Sequence, residues 1–259
     1  MTPRPSGATF ARDMTLLRST LFFLWFAITS AIIAVGGVWV LLLPRRATEI
    51  LSKTWSRTTL FGLKYIAGLS YEVRGPVPRG PVLIAAKHMS MWDTVMLYLL
   101  LDDAAAVVKR SLLTIPFYGW YLWKAGVIAI DREAKASALK QMVAEAKARH
   151  AENRPIFIFP EGHRMDPGAP PDYKPGVAAL YAQLNAPCIP VALNSALFWS
   201  GPAGFIKRSG RVVIEFLPPI APGLKRAAFM EQLQTQIETA TGELLIEGRN
   251  LLERRNSVQ

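Results

Sequence analysis

Along residues 71–253 short apolar runs alternate with longer amphipathic ones. The runs at 71–74, 82–86, 105–108, 127–130, 156–159, 189–193 and 212–216 have the length and β-branched content of buried strands. Stretches near 91–101, 134–151 and 225–253 carry helical periodicity. This alternation predicts an α/β domain, a mixed sheet flanked by helices. The 134–151 stretch is alanine-rich and sets Glu145 and Arg149 four residues apart, the pattern of a solvated surface helix. His150 near its end compensates the helix dipole.

The first seventy residues are patterned differently. Residues 19–43 contain no charged side chain, and as a helix these 25 residues would extend about 37 Å, more than the ~30 Å hydrocarbon core of a bilayer. A cleaved leader would have a much shorter apolar stretch. Between 47 and 69, Lys53, Arg57 and Lys64 fall on one helical stripe, with Leu51, Trp55, Ile66 and Leu69 broadly opposite, an interfacial pattern. Arg4, Arg12 and Arg18 precede the apolar segment, and Arg45 and Arg46 follow it, so charge gives no clean orientation for a single span. A helical hairpin dipping into one leaflet satisfies both flanks; an ordinary spanning anchor is the alternative. The expected organisation is a basic tail (1–18), a membrane-embedded or interfacial two-helix hairpin (19–69) and a catalytic domain (70–259).

Composition narrows the partners. The chain of 259 residues is 51% hydrophobic, enough for a full core. Its one cysteine excludes an internal disulfide framework and any multi-cysteine metal site, and Cys188, in an apolar run, reads as a small buried hydrophobe. A net charge of +11 favours an anionic partner, and the apolar N-terminal segment points to a lipid bilayer rather than nucleic acid.

Two segments carry the chemistry. Lys87-His88-Met89-Ser90-Met91-Trp92-Asp93 and Phe159-Pro160-Glu161-Gly162-His163-Arg164 each follow a predicted strand, where α/β folds place their sites. Ser90-x-x-Asp93 is also a helix-capping pattern, and the two readings coexist. Residues five apart do not share a helical face, so His88 must precede the helix, with Asp93 in its first turn reaching one imidazole nitrogen. The second nitrogen is left for a substrate. Arg164 offers a fork suited to phosphate, and Gly162 permits close backbone approach. Lys109 and Arg132, each at the end of a predicted strand, are placed to converge on the same spot. The proline- and glycine-rich stretch 167–175 forms a rim.

Five blocks then occur in order: Lys87-His88-x-Ser90-x-x-Asp93; Val108-Lys109-Arg110-Ser111-Leu112 with Pro116 and Gly119; residues 126–132, ending in Asp131-Arg132; Phe159-Pro160-Glu161-Gly162-His163-Arg164; and residues 189–194, ending in Asn194. In order and spacing they resemble the blocks of the 1-acylglycerol-3-phosphate acyltransferase family, bacterial type. The resemblance implies acyl transfer from acyl-CoA or acyl carrier protein, with no cofactor and no metal, to the sn-2 hydroxyl of a lysophosphatidic acid. It implies catalytic His88 and Asp93, an acceptor site of Lys109, Glu161, Gly162 and Arg164, and a place on the cytoplasmic face of the inner membrane. A small hydroxyl residue usually stands where this chain has His163. His88 would take the proton of the attacking hydroxyl while Asp93 orients its ring. Lyso-ornithine lipid and glycerol-3-phosphate acyltransferases share the pattern and remain alternatives. A serine hydrolase is disfavoured because no Gly-x-Ser-x-Gly occurs. A zinc hydrolase lacks closely spaced ligand pairs. A non-catalytic membrane-binding protein would leave both motifs unexplained.

Overall fold

The computed structural model describes residues 7–131, 135–200 and 204–256. Seven strands form one sheet: β1 (Leu69–Arg74), β2 (Leu83–Ala86), β3 (Ala105–Lys109), β4 (Ile128–Ile130), β5 (Ile156–Ile158), β6 (Cys188–Leu193) and β7 (Gly210–Phe216). Their order is β1-β7-β6-β2-β5-β3-β4. All pair in parallel except β6 with β7. The sheet is mixed, as expected, and each expected strand lies within a residue or two of an observed one.

Strands β2, β5 and β6 are buried at every position. That explains their unbroken apolar sequences, because parallel strands are covered on both faces. Ile84, Ala86 and Phe157 face one core, with α3 (Met91–Leu100), while Leu83, Ala85, Ile156 and Ile158 face the other, with α5 (Lys135–Ala151), α6 (Gly176–Leu184) and the first half of α7 (Arg226–Asn256). Cys188 is buried in β6, and burial pushes its thiol up. Two helices had no counterpart in the sequence pattern: α6 and the short α4 (Tyr118–Ala125).

The hairpin differs from expectation in three respects. α1 runs Gly7–Gly36, so the expected tail is helical from Gly7 onward. Within it Arg12–Gly36 is long and apolar enough to cross a membrane. A 3-10 turn, Val38–Leu42, leads to α2 (Arg45–Tyr65), and Leu69 belongs to β1 rather than to the helix. α1 lies along the catalytic domain: Ser19 Oγ accepts from Lys207 N–H (2.9 Å), and fifteen residues later Ala34 O accepts from Tyr121 (2.6 Å). Both ends of this roughly 22 Å stretch are therefore fixed to the domain.

The two helices are fixed to each other as well. Trp25 donates to Thr58 O (3.2 Å), and Trp55 to Ser30 Oγ (2.9 Å). A Cβ at Gly62 would lie 2.3 Å from the Trp25 ring, so only glycine lets the helices approach this closely. Phe22, Leu60 and Leu63 join Trp92 and Met96 in one core. Nor is the basic stripe all exposed: Lys53 pairs with Glu49 (2.9 Å) and Asp102. Arg45 forks onto Asp103 (3.0 and 2.7 Å) and reaches Glu152 (2.8 Å). The boundary at residue 70 thus divides the sequence but not the packed structure. The outer face of α1, with Leu24, Ile28 and Ile32, is exposed.

Candidate active site

The strand order brings the motifs together. β2 is flanked by β5 and β6, so the residues following the three strands, His88, Phe159 to Arg164 and Asn194–Ser195, meet at one edge of the sheet. Lys109, at the end of β3, is one strand further on.

Ser90 is the N-cap of α3 and completes a capping box with Asp93. Asp93 is fully buried. Its Oδ2 accepts from Met89 N–H (2.6 Å) and Ser90 N–H (2.8 Å), and lies 3.0 Å from His88 Nδ1. A carboxylate only accepts, so Nδ1 carries the proton and Nε2 is left as the base. The other oxygen, Oδ1, accepts from Ser195 Oγ at 2.5 Å, and Ser90 Oγ donates in turn to Ser195 Oγ at 2.8 Å. Phe159 stacks on the imidazole at 3.8 Å between centroids and 15° between planes. The ring is held at its edge and across its face. Phe159 stands in a motif block and Ser195 one residue beyond another, but nothing in their spacing assigned them these contacts.

Glu161 was expected at the acceptor; in the structure its carboxylate is fully buried and turned to Lys87, whose Nζ lies 2.5 Å from Oε1. Lys87 also donates to Glu238 of α7 (2.8 and 3.0 Å), and Tyr173 Oη donates to Glu238 (2.9 Å). Burial raises the Glu161 pKa, opposed by Lys87. Glu161 therefore fixes the turn, and does not line the cavity. Gly162 does line it, with φ +74, the left-handed conformation that closes the turn from Phe159. Met165 N–H donates to His88 O (2.8 Å), so the two motifs are joined by backbone.

His88, Lys109, Gly162 and Arg164 all border one cavity of about 1190 Å³. Lys109 and Arg164 are exposed at it, and neither has an ion-pair partner among the described residues. Arg164 lies near Tyr118, whose pKa is raised by burial and lowered by that cation. Lys174 is a further cation at the cavity, paired with Asp172 (2.5 Å). His163 points outward, 3.5 Å from Asp172, and is not part of the lining. Arg132 lies outside the described residues. Away from the cations the walls are apolar, and the hairpin supplies one of them through Phe26, Ile33, Leu51 and Trp55.

A histidine base held by a buried carboxylate, bordering a large and mostly apolar cavity, defines an α/β acyltransferase. Residues 70–194, 125 of the 259 residues, match the Acyltransferase family model. It is 29% identical over 235 residues to the 1-acyl-sn-glycerol-3-phosphate acyltransferase of Pseudomonas aeruginosa, covering 89% of this chain and 91% of that one. It is 31% identical over 170 residues to the mouse (Mus musculus) 1-acyl-sn-glycerol-3-phosphate acyltransferase alpha, covering 64% and 60%. Its fold is similar to that of the 1-acyl-sn-glycerophosphate (LPA) acyltransferase PlsC of Thermotoga maritima, with a TM-score of 0.73 at 16% identity over 90% of this chain and 97% of that chain.

Proposed function

We propose that the protein transfers an acyl chain from a thioester, acyl-CoA or acyl carrier protein, to the sn-2 hydroxyl of 1-acylglycerol-3-phosphate, making phosphatidic acid. The observation that carries this is the joint exposure of His88, Lys109 and Arg164 on one apolar cavity. An alcohol is a poor nucleophile near neutral pH, so His88 Nε2 takes its proton as the oxygen attacks the thioester carbonyl. The resulting imidazolium, stabilised by Asp93, returns the proton to the departing thiolate as the tetrahedral intermediate collapses. The C–S bond breaks and the ester C–O bond forms, with no cofactor beyond the thioester.

Lys109 and Arg164 hold the acceptor phosphate, each charge-assisted bond contributing about 1.5–3 kcal/mol. The cavity takes an acyl chain. α1 and α2 lie along one side of the domain with an exposed apolar outer face, which suits a protein seated in a single leaflet, on the cytoplasmic face of the inner membrane. The test is acyl transfer by purified protein to lysophosphatidic acid, to the same acylglycerol without phosphate, and to lyso-ornithine lipid. Arg164→Ala should raise the KM for lysophosphatidic acid far more than that for the thioester. Preference of the wild type for a phosphate-free acceptor would overturn the assignment.

A further inference from the structure

The segment after β3 has two faces. The 3-10 turn Arg110–Thr114 leads through Ile115 and Pro116 to Phe117, held at φ +61, which turns the chain into α4. A Cβ on Gly119 would lie 2.1 Å from Leu113 O, so α4 and the turn before it pack as one piece. Tyr121, Leu122 and Ala125 line the cavity, and Tyr121 also ties α4 to the end of α1. On the other side Trp120 and Trp123, three residues apart and so on one face, are 47% and 75% exposed. Ile115 is exposed beside them in sequence.

This aromatic face continues the apolar surface of the hairpin. α4 packs against the Val38–Leu42 turn, where Trp39 and Leu42 are exposed, and against α2. Residues 104–130 contain no aspartate or glutamate, while Lys109, Arg110 and Lys124 flank the patch. Tryptophan beside lysine and arginine, on an apolar face next to another apolar face, is the composition of the bilayer interface.

We propose that residues 115–123 form a second bilayer-inserting element, remote in sequence from the hairpin, that seats the cavity mouth in the leaflet. Acyl chains then pass between bilayer and cavity without crossing water. The occupant of the face is an anionic phospholipid surface. This deepens the lipid-acceptor reading, but its first test contains no acceptor or donor and stands apart from it.

Full-length protein is mixed with anionic vesicles whose lipids are brominated near the headgroup end of the acyl chains, and tryptophan quenching is measured for wild type, Trp120→Phe and Trp123→Phe. Each variant should lose part of the quenched emission while vesicle sedimentation is unchanged. Quenched emission identical in all three would overturn the proposal. In the second arm Trp120→Ser/Trp123→Ser is assayed on vesicle-held and on short-chain soluble acceptor. Turnover on vesicles should fall about tenfold with the soluble reaction unchanged. Equal losses on both, or no loss on vesicles, would contradict it. A wild-type dimer in light scattering that the double variant abolishes, with no quenching difference, would assign the face to a second copy instead. A shift in Trp123 emission on adding acyl carrier protein, with no response to brominated lipid, would assign it to the donor.

Discussion

Ser195 Oγ lies 2.5 Å from Asp93 Oδ1, the carboxylate oxygen that the backbone amides of the His88 turn do not reach. The two residues are 102 positions apart and meet because β6 and β2 are neighbours in the sheet. With Oδ2 taken by two backbone amides and the imidazole, this contact fixes the rotation of the whole group. Ser195→Ala should lower kcat about tenfold, since a hydrogen bond to a charged group is worth about 1.5–3 kcal/mol. Neither KM should move, and Ser195→Thr should recover part of the loss. A raised acceptor KM with normal kcat would mean that Ser195 shapes the binding site instead.

Lys87 is the shared cation of two carboxylates, Glu161 and Glu238, at a site where Glu161 has no access to solvent. Removing it leaves buried negative charge without a counterion, a change that costs about 3–5 kcal/mol. Lys87→Met should therefore lower Tm by about 10 °C in a chain of this size. Lys87→Met combined with Glu161→Gln should recover much of that loss. Melting curves of the two variants decide it, and an unaltered Tm for Lys87→Met would contradict the buried pairing.

Phe22, Leu60 and Leu63 are core residues, and the hairpin walls the cavity. Deleting residues 1–69 should consequently cost the fold and not merely the membrane anchor. The truncated chain is expected to lose its near-ultraviolet circular dichroism and its activity on soluble short-chain acceptor as well as on vesicles. A folded, soluble, active remainder would show that the hairpin is an appendage after all.

Lys207 is buried with its ammonium 4.4 Å from the Trp199 ring and 5.4 Å from that of Phe22, and burial lowers its pKa to about 8. In the unfolded chain a lysine keeps its proton up to about pH 10.4. Between these values the unfolded state binds more protons, so this group makes stability rise with pH from about 8 to 10, and contributes no slope below that. Urea midpoints measured across this range should show a shallower rise for Lys207→Met than for wild type. Parallel curves would exclude Lys207 as the source.

How much of this was legible in the sequence differs by element. The central strands were readable because strands buried on both faces leave unbroken apolar runs, as in β2 and β6. α4 was not, because an eight-residue helix with one face on a cavity and the other carrying Trp120 and Trp123 has no polar side to give it a period. The capping box at Ser90 and Asp93 placed His88 ahead of the helix correctly, since that follows from helical geometry alone. The contacts of Glu161 were not legible because its partner Lys87 lies 74 positions earlier and is shared with Glu238 of α7, an arrangement that only the folded chain shows. Ser195 was hidden for the same reason, its contact depending on strand order. The role of the hairpin as a cavity wall needed tertiary packing that hydropathy does not encode.

The central claim is that His88 Nε2 is the base for attack on the thioester, and turnover of His88→Ala tests it most directly. With protein folded as judged by melting, kcat for acyl transfer from acyl-CoA to lysophosphatidic acid should fall about 10³-fold, the acceptor KM remaining close to that of the wild type. A His88→Ala protein that keeps about a tenth of wild-type kcat would contradict the account, because a loss that small lies below the range general-base catalysis supplies.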